Sequence, residues 1–429
     1  MQTIVIVGGG AGGLELATRL GDRAGKPRSS RQLRVLLVDR WPAHFWKPLL
    51  HTVASGKRDA HATEVDYAAQ ASEHGFEFVR GEVVGVDREA RCIHLAPWLA
   101  DDGAELLPAR LLGYDKLVLA LGSVTNFFGV PGAAEHVLTL DDVPQAEAFR
   151  QRFVDGCIQA SARGVGLDVV IVGGGATGVE LAAELCHSAR TLARYKVHAL
   201  DPVDDVRIRI LERGSLLLPH LPARQSKRAA RHLRSLGVRV TTDCAVAKVE
   251  AGVVTDAQGA AYPACITLWA AGVEAPAMCA TLGLPVNRLR QVAVQPSLQS
   301  VGDPRIYAIG DCASFVCPVG GAVPPRAQAA HQQALFLAQS LAQHAPSCPA
   351  VFSYRDYGSV VSLGPHAAVG MLTGSVGGRT FQLGGAPARW LYRLMYRKHL
   401  MALHGFVRMA ARTVADWIGQ RISPSVKLH

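Results

Sequence analysis

Residues 4–20 of this chain read IVIVGGGAGGLELATRL, and residues 169–185 read VVIVGGGATGVELAAEL. Twelve of the 17 aligned positions are identical. Such a repeat constrains folding strongly, because both copies must adopt one local structure. Each has a short β-branched run, a glycine cluster and then a helical apolar pattern. That order predicts a buried parallel strand feeding a helix. Each turn also carries G-x-G-x-x-G: Gly8, Gly10 and Gly13 in the first copy, Gly173, Gly175 and Gly178 in the second. The first glycine allows a tight turn, the second lets backbone approach a pyrophosphate, and the third lets helix pack on strand. The helix start then offers unpaired N–H groups and a positive dipole end to phosphates. A second strand follows in each copy and ends in an acid suited to a ribose hydroxyl: Arg34–Asp39 and Arg207–Glu212. A single motif of this kind is a common chance turn, whereas two in the same context predict two dinucleotide sites. The wider gap from Gly178 to Glu212 implies an insertion around residues 190–205. Glu212 favours NADH over NADPH, since a carboxylate repels a 2′-phosphate.

Composition narrows the class. The chain has 429 residues, 49% hydrophobic and 19% charged, enough for two or three domains and a large core. Its 43 glycines show no collagen period. Nine scattered cysteines without a CxxC fit a reducing compartment and argue against a structural zinc site; no metal site is expected. Residues before Gly8 fit neither a signal nor a transit peptide, and no run of 18 apolar residues is present. The expectation is a cytoplasmic bacterial protein.

Two dinucleotide sites suggest a flavin electron relay, with FAD in one and a nicotinamide in the other. Two strands ending in small residues, Tyr114–Ser123 with Gly122 and Ile266–Val273 with Gly272, would return the chain between the domains. A third, Ile306 to Gly310-Asp311, ends in an acid suited to the ribityl or phosphate end of a flavin. The stretch His44-Phe45-Trp46-Lys47-Pro48-Leu49-Leu50 follows Asp39, and Ala327-Gln328-Ala329-Ala330-His331-Gln332 follows Pro324-Pro325.

With these motifs the whole chain resembles the type II NADH:quinone oxidoreductases, single-subunit NADH dehydrogenases that pump no protons. The run 327–332 matches that family's AQxAxQ quinone-site pattern. The resemblance implies FAD held in the first domain by Gly8, Gly10, Gly13, Asp39, Lys47, Gly122, Gly310 and Asp311. It implies NADH held in the second by Gly173, Gly175, Gly178, Glu212 and Gly272. Hydride would pass from nicotinamide to flavin, and two electrons on to a quinone beside Gln328 and Gln332, which lie at i and i+4 on one helix face. The helix after Pro324-Pro325 would aim its positive end at the flavin. Glu180 matches a glutamate near the nicotinamide that is proposed to take part in quinone protonation or ligand placement. Glu15 holds the same slot in the first copy, and an acid in a first turn is stabilising by itself. A homodimer is implied as well.

Residues 387–429 carry eight basic residues (Arg389, Arg393, Arg397, Lys398, Arg408, Arg412, Arg421, Lys427) against Asp416 alone, within a chain of net charge +10. Trp390, Leu391, Leu394 and Met395 lie off the arginine stripe. A basic amphipathic helix of this kind suits a membrane surface, on the cytoplasmic face of the inner membrane, better than nucleic acid. The expected architecture is α/β: two Rossmann-like dinucleotide-binding domains with a C-terminal amphipathic membrane-binding module. An FAD domain would span 1–125 and 285–350, an NADH domain 126–284, and the membrane module 351–429. The rivals are a sulfide:quinone oxidoreductase-like flavoenzyme, with Cys157 or Cys348 as reactive thiols, and a non-catalytic NADH-responsive sensor. A disulfide reductase would need a cysteine pair in 41–60, where none exists; Cys312 and Cys317 read as structural.

Overall fold

A computed structural model describes residues 1–24, 33–100, 102–196, 200–317, 321–342, 351–374 and 380–422. The chain opens with β1 (Gln2–Val7), α1 (Ala11–Ala24), β2 (Leu33–Asp39), α2 (Leu50–Ala54), β3 (Glu77–Arg80) and β4 (Lys116–Leu119). The middle holds α3 (Val143–Arg163), β5 (Leu167–Val172), α4 (Ala176–Arg194), β6 (Val206–Leu211), α5 (Ala223–Ser235), β7 (Arg239–Thr241) and β8 (Ile266–Trp269). The last third has β9 (Gln299–Ser300), β10 (Asp303–Ala308), α6 (Ala327–Ala342), β11 (Gly358–Ser362), β12 (Ala368–Thr373), β13 (Thr380–Gly384) and α7 (Ala386–Ile422).

Two compact units form. The first comprises Met1–Trp46, Thr63–Val124 and Val273–Arg355; the second comprises Lys47–Ala62, Thr125–Gly272 and Asp356–His429. The segment expected as a separate membrane module is therefore grouped with the second unit, and so is the short piece carrying Lys47 and α2.

In the first unit the sheet runs β9-β10-β4-β1-β2-β3, parallel throughout except for the β9–β10 edge. Its central strands are apolar on both faces: Ile4, Val5, Ile6, Leu117, Val118 and Leu119 are all fully buried. Such strands need helical cover on each side. One cover is α1 against α6. Close approach is possible because Gly12 faces Ala330; a Cβ on Gly12 would lie 3.2 Å from that of Ala330.

The second unit repeats the plan, with an all-parallel sheet of order β7-β6-β5-β8. Each unit adds a three-stranded antiparallel sheet, at Val83–Asp87, Cys92–Leu95 and Arg110–Gly113 in the first and Val246–Glu250, Val253–Asp256 and Ala261–Pro263 in the second. Part of the expected insertion is helix: α4 has 19 residues where α1 has 14. In both sheets the strand order turns back beside the first strand, between β1 and β4 and between β5 and β8. A parallel sheet leaves its ligand crevice at that point, outside the carboxyl ends of the strands.

The second unit also carries the antiparallel sheet β11-β12-β13, with α7 packed on it through Ala388, Leu391 and Tyr392. The C-terminal helix is not continuous. It breaks at Gly405 (φ 74°, ψ 175°), a backbone that a side chain would strain. Leu400 and Leu403 are buried, whereas Trp390, Met401, Phe406 and Val407 are exposed. Arg389 donates to the Pro365 carbonyl (3.0 Å), so the arginine stripe is not wholly presented to solvent. Asp416, Arg421 and Lys427 have no described side-chain placement.

The helix–strand contact at the third motif glycine sets the tolerance of the fold. A Cβ on Gly13 would strike the Gly8 carbonyl, whereas one on Gly10 would meet nothing within 4 Å. Gly13→Ala is therefore expected to lower unfolding stability in urea by about 1–3 kcal/mol. Gly10→Ala should leave the unfolding midpoint unchanged; equal loss in both variants would contradict this packing argument.

Candidate active site

Each glycine turn is clasped by the acid that ends the neighbouring strand. In the first unit the Gly9 N–H donates to Asp39 Oδ2 (2.6 Å) and the Trp41 N–H to Oδ1 (2.8 Å). In the second, the Gly174 N–H donates to Glu212 Oε2 (2.6 Å) and the Gly214 N–H to Oε1 (2.6 Å). Bonds from N–H groups to an ionised carboxylate are among the stronger hydrogen bonds. Asp39 and Glu212, expected as ribose ligands, thus also hold their own turns in shape, with lone pairs left for a hydroxyl.

The turns themselves fit a pyrophosphate. Gly8 (φ 102°) and Gly173 (φ 112°) take a backbone few side chains tolerate, and a Cβ on either would strike the carbonyl of Ala120 or Ala270. The positions a Cβ would take on Gly10 and Gly175 face open space. The helical bonding starts with Leu14 N–H to the Gly10 carbonyl (3.0 Å) and Val179 N–H to that of Gly175 (3.1 Å). The first-turn N–H groups ahead of those bonds have no partner within the helix and suit an anion.

Two residues to which the sequence reading gave no role shape the first turn. His44 Nδ1 donates to the Gly9 carbonyl (2.9 Å), and the Tyr67 hydroxyl donates to the same oxygen (2.8 Å). Burial pushes the His44 imidazole down to about 4, so it is neutral and its single N–H is committed. Burial, with the charges of Asp39 and Glu64, raises the Tyr67 hydroxyl well above its usual range.

Gly310 and Asp311 close the same crevice from β10. Gly310 (φ 71°) turns the chain, and Asp311 Oδ2 accepts from the Ser123 hydroxyl (2.8 Å), one residue after Gly122 (φ 68°). The glutamine that holds this turn is Gln333, fully buried, whose Oε1 accepts the Gly310 N–H at 2.7 Å. Gln332, expected to face a pocket, instead clasps the backbone of Arg355. Its amide donates to that carbonyl (2.8 Å) and accepts from that N–H (3.0 Å). Gln328 is half-buried one turn earlier on α6. Lys47 is exposed and lies in the second unit, as does Gly272, where a Cβ would run into the Phe128 ring.

The two helices differ at one informative place. In α1, Glu15 is fully buried but paired twice, with Arg19 Nε (2.8 Å) and with His331 Nδ1 (2.5 Å). In α4 the residue matching Arg19 is Glu184, so Glu180 loses its i+4 cation and gains an acid. Glu184 is itself paired with Lys57 Nζ (2.6 Å). Glu180 Oε1 accepts the Ser362 N–H (2.9 Å), and Oε2 lies 3.4 Å from Nδ1 of the buried His51. Burial, reinforced by the Glu184 charge and opposed by the Ser362 N–H, pushes the Glu180 carboxyl up to about 8. Burial pushes His51 down to about 3. The Tyr392 hydroxyl also hydrogen-bonds the Glu180 carboxyl, and His51 Nε2 has no hydrogen-bond partner among the described residues. The cluster can hold a proton on Glu180 at neutral pH. The signal for it was in the repeat: Arg19 aligned with Glu184.

Two cysteines the sequence reading did not pair lie together: a hydrogen bond with Cys312 lowers the Cys279 thiol and raises that of Cys312. Cys157 is buried and its thiol is pushed up to about 12 by that burial. Cys312 and Cys317 are both buried; Cys348 lies outside the described residues. No group of three or more His, Cys, Asp or Glu among the described residues has metal-binding geometry.

The Glu180 environment has a thermodynamic signature. Its carboxyl is raised from 4.5 to about 8, so between those values the folded protein keeps a proton that the unfolded chain has lost. Stability carried by this group is complete below the lower value and is lost as pH rises through the upper one. Glu180→Gln should remove that slope. Urea midpoints measured from about pH 5 to about pH 9 should show the variant gaining on the parent up to about pH 8 and then holding level. A difference independent of pH would contradict the buried, proton-bearing carboxyl.

Comparison with known proteins places this geometry. Residues 2–334 match the family model described as pyridine nucleotide-disulphide oxidoreductase. The type II NADH:quinone oxidoreductase of Haemophilus influenzae is 36% identical over 448 residues, covering 100% of both chains. A demethylphylloquinone reductase of Synechocystis is 28% identical over 97% of each. The solved structure of NDH2 from Plasmodium falciparum in complex with NADH superposes with a TM-score of 0.84, at 19% identity, over 99% of this chain and 100% of that one. The expected mixed α/β architecture is the fold these proteins share. Within the pyridine nucleotide-disulphide oxidoreductases, this chain belongs to the type II NADH:quinone oxidoreductases.

Proposed function

We propose that this protein oxidises NADH and reduces a quinone, with FAD as its resident cofactor and without proton pumping. The observation that carries the reading is the duplicated cradle: two parallel sheets, each ending in a glycine turn clasped by one carboxylate, in a chain aligned end to end with an NADH:quinone oxidoreductase. We read the two units as Rossmann-like dinucleotide-binding domains, with FAD at the first cradle and NADH at the second. FAD supplies what side chains lack, a two-electron carrier that accepts hydride and passes electrons on to the quinone.

The chain's own residues provide placement, charge and protons. Gly8, Gly10 and Gly13 would leave room for the FAD pyrophosphate, with Asp39 for a ribose hydroxyl and Asp311, held by Ser123, for the flavin end. The Gly310 turn is kept in place by Gln333. Gly173, Gly175 and Gly178 would admit the NADH pyrophosphate, and Glu212 would accept from its ribose while repelling a 2′-phosphate. Glu180, protonated near neutral pH, can supply a proton that quinone reduction consumes. His51, kept neutral by burial, lies 3.4 Å from Glu180 and fixes the position of that carboxyl. Gln328 and Gln332 stay assigned to the quinone end of α6, Gln332 by fixing the chain at Arg355.

The quinone is reached at a membrane surface. No described helix is long and apolar enough to cross a bilayer. α7 instead presents Trp390, Met401, Phe406 and Val407 outward on a segment rich in arginine, which suits the interface of an anionic bilayer.

Steady-state assay with a water-soluble quinone tests the reading. The wild type should prefer NADH strongly over NADPH. Glu212→Gln keeps an acceptor for the turn but removes the charge, so the kcat/KM ratio of NADH to NADPH should fall by about tenfold. No turnover with NADH, or a cofactor preference untouched by the substitution, would overturn the assignment.

A further inference from the structure

α5 carries Arg224, Lys227, Arg228, Arg231 and Arg234 and not one acid. Arg224, Arg228 and Arg231 fall at i, i+4 and i+7, on one side of the helix. Together with Gln382 and Gly384 of β13 they line a cavity of about 460 Å³, open to solvent, within the range that small ligands occupy. All of these residues belong to the second unit, and none belongs to either glycine cradle. No carboxylate lines the cavity, and no ion pair with one is formed by these three arginines among the described residues. Gly384 keeps the wall open: a Cβ there would run into the Arg228 guanidinium. His232, on the same rim, is fixed by a 3.1 Å contact of its Nε2 with the Leu363 carbonyl.

Three guanidiniums ask for an anion, and planar forks match phosphate oxygens especially well.

We infer that the α5–β13 cavity binds a phosphate ester, with its phosphate among Arg224, Arg228 and Arg231. A soluble sugar or glycerol phosphate and the headgroup of an anionic glycerophospholipid both have this chemistry.

Calorimetric titration of the full-length protein, with saturating NAD⁺ present to fill the nucleotide site, tests it and separates the two sources. One arm uses glycerol 3-phosphate; the other uses short-chain phosphatidylglycerol below its micelle concentration. Binding in the first arm identifies a soluble ester, and binding in the second alone a lipid headgroup. Arg224→Ala and Arg228→Ala should each weaken whichever binds by roughly tenfold or more, at unchanged melting temperature and NADH turnover. The inference is overturned if neither ligand binds, if NAD⁺ competes with them, or if the arginine variants bind like the parent.

Discussion

The short bond from a strand-end carboxylate to the middle glycine of the turn is what the rest of the architecture depends on. Asp39 to Gly9 and Glu212 to Gly174 are both 2.6 Å, and each carboxylate takes a second N–H two residues further along the chain. This clasp ties the end of the second strand to the turn after the first, at the crevice where parallel sheets admit ligands. It also keeps the glycine N–H groups and the helix start pre-arranged around a space that holds no side chain. Preorganised dipoles of this kind cost little reorganisation when a phosphate arrives.

Duplication gave two equivalent cradles, and a small difference in the following helix separated their chemistry. In α1 the buried Glu15 is paired with Arg19 and His331 and serves the packing of α1 against α6. In α4 the corresponding Glu180 faces Glu184, and burial keeps its proton on up to about pH 8. Burial without a cation at i+4 thus leaves an acid that titrates near neutrality, with the Glu184 charge a smaller contribution. The same logic explains why His44 and His51, both buried, stay neutral and act through fixed hydrogen-bonding positions.

Much of this was legible in the sequence because it rests on local rules. The repeat, the glycine spacing and the acid at each strand end announced both parallel sheets and both cradles. Strand-ending segments at Lys116–Leu119, Ile266–Trp269 and Asp303–Ala308 lie where apolar runs met small residues. What escaped depends on contacts distant in the chain. A helix turns about 100° per residue, so the step from Gln332 to Gln333 changes an exposed clasp on Arg355 into a buried one on Gly310, and no periodicity in an alanine-rich helix distinguishes them. Tyr67 and His44 converge on one carbonyl from separate segments. The grouping of Lys47–Ala62 with the second unit follows from packing of α2 on α3 and α4, which local propensity does not encode. The break at Gly405 was visible only as one glycine within a helical pattern, where glycine is often tolerated.

The central claim is that the two clasped turns hold an electron donor and a flavin in one working enzyme. Its most direct test is anaerobic titration of the purified protein with NADH and then with a quinone analogue, followed at the flavin absorbance bands. The account predicts a yellow protein that is bleached stoichiometrically by NADH and recovers its colour on addition of the quinone. A colourless protein, or a flavin that NADH leaves oxidised without oxygen, would contradict it.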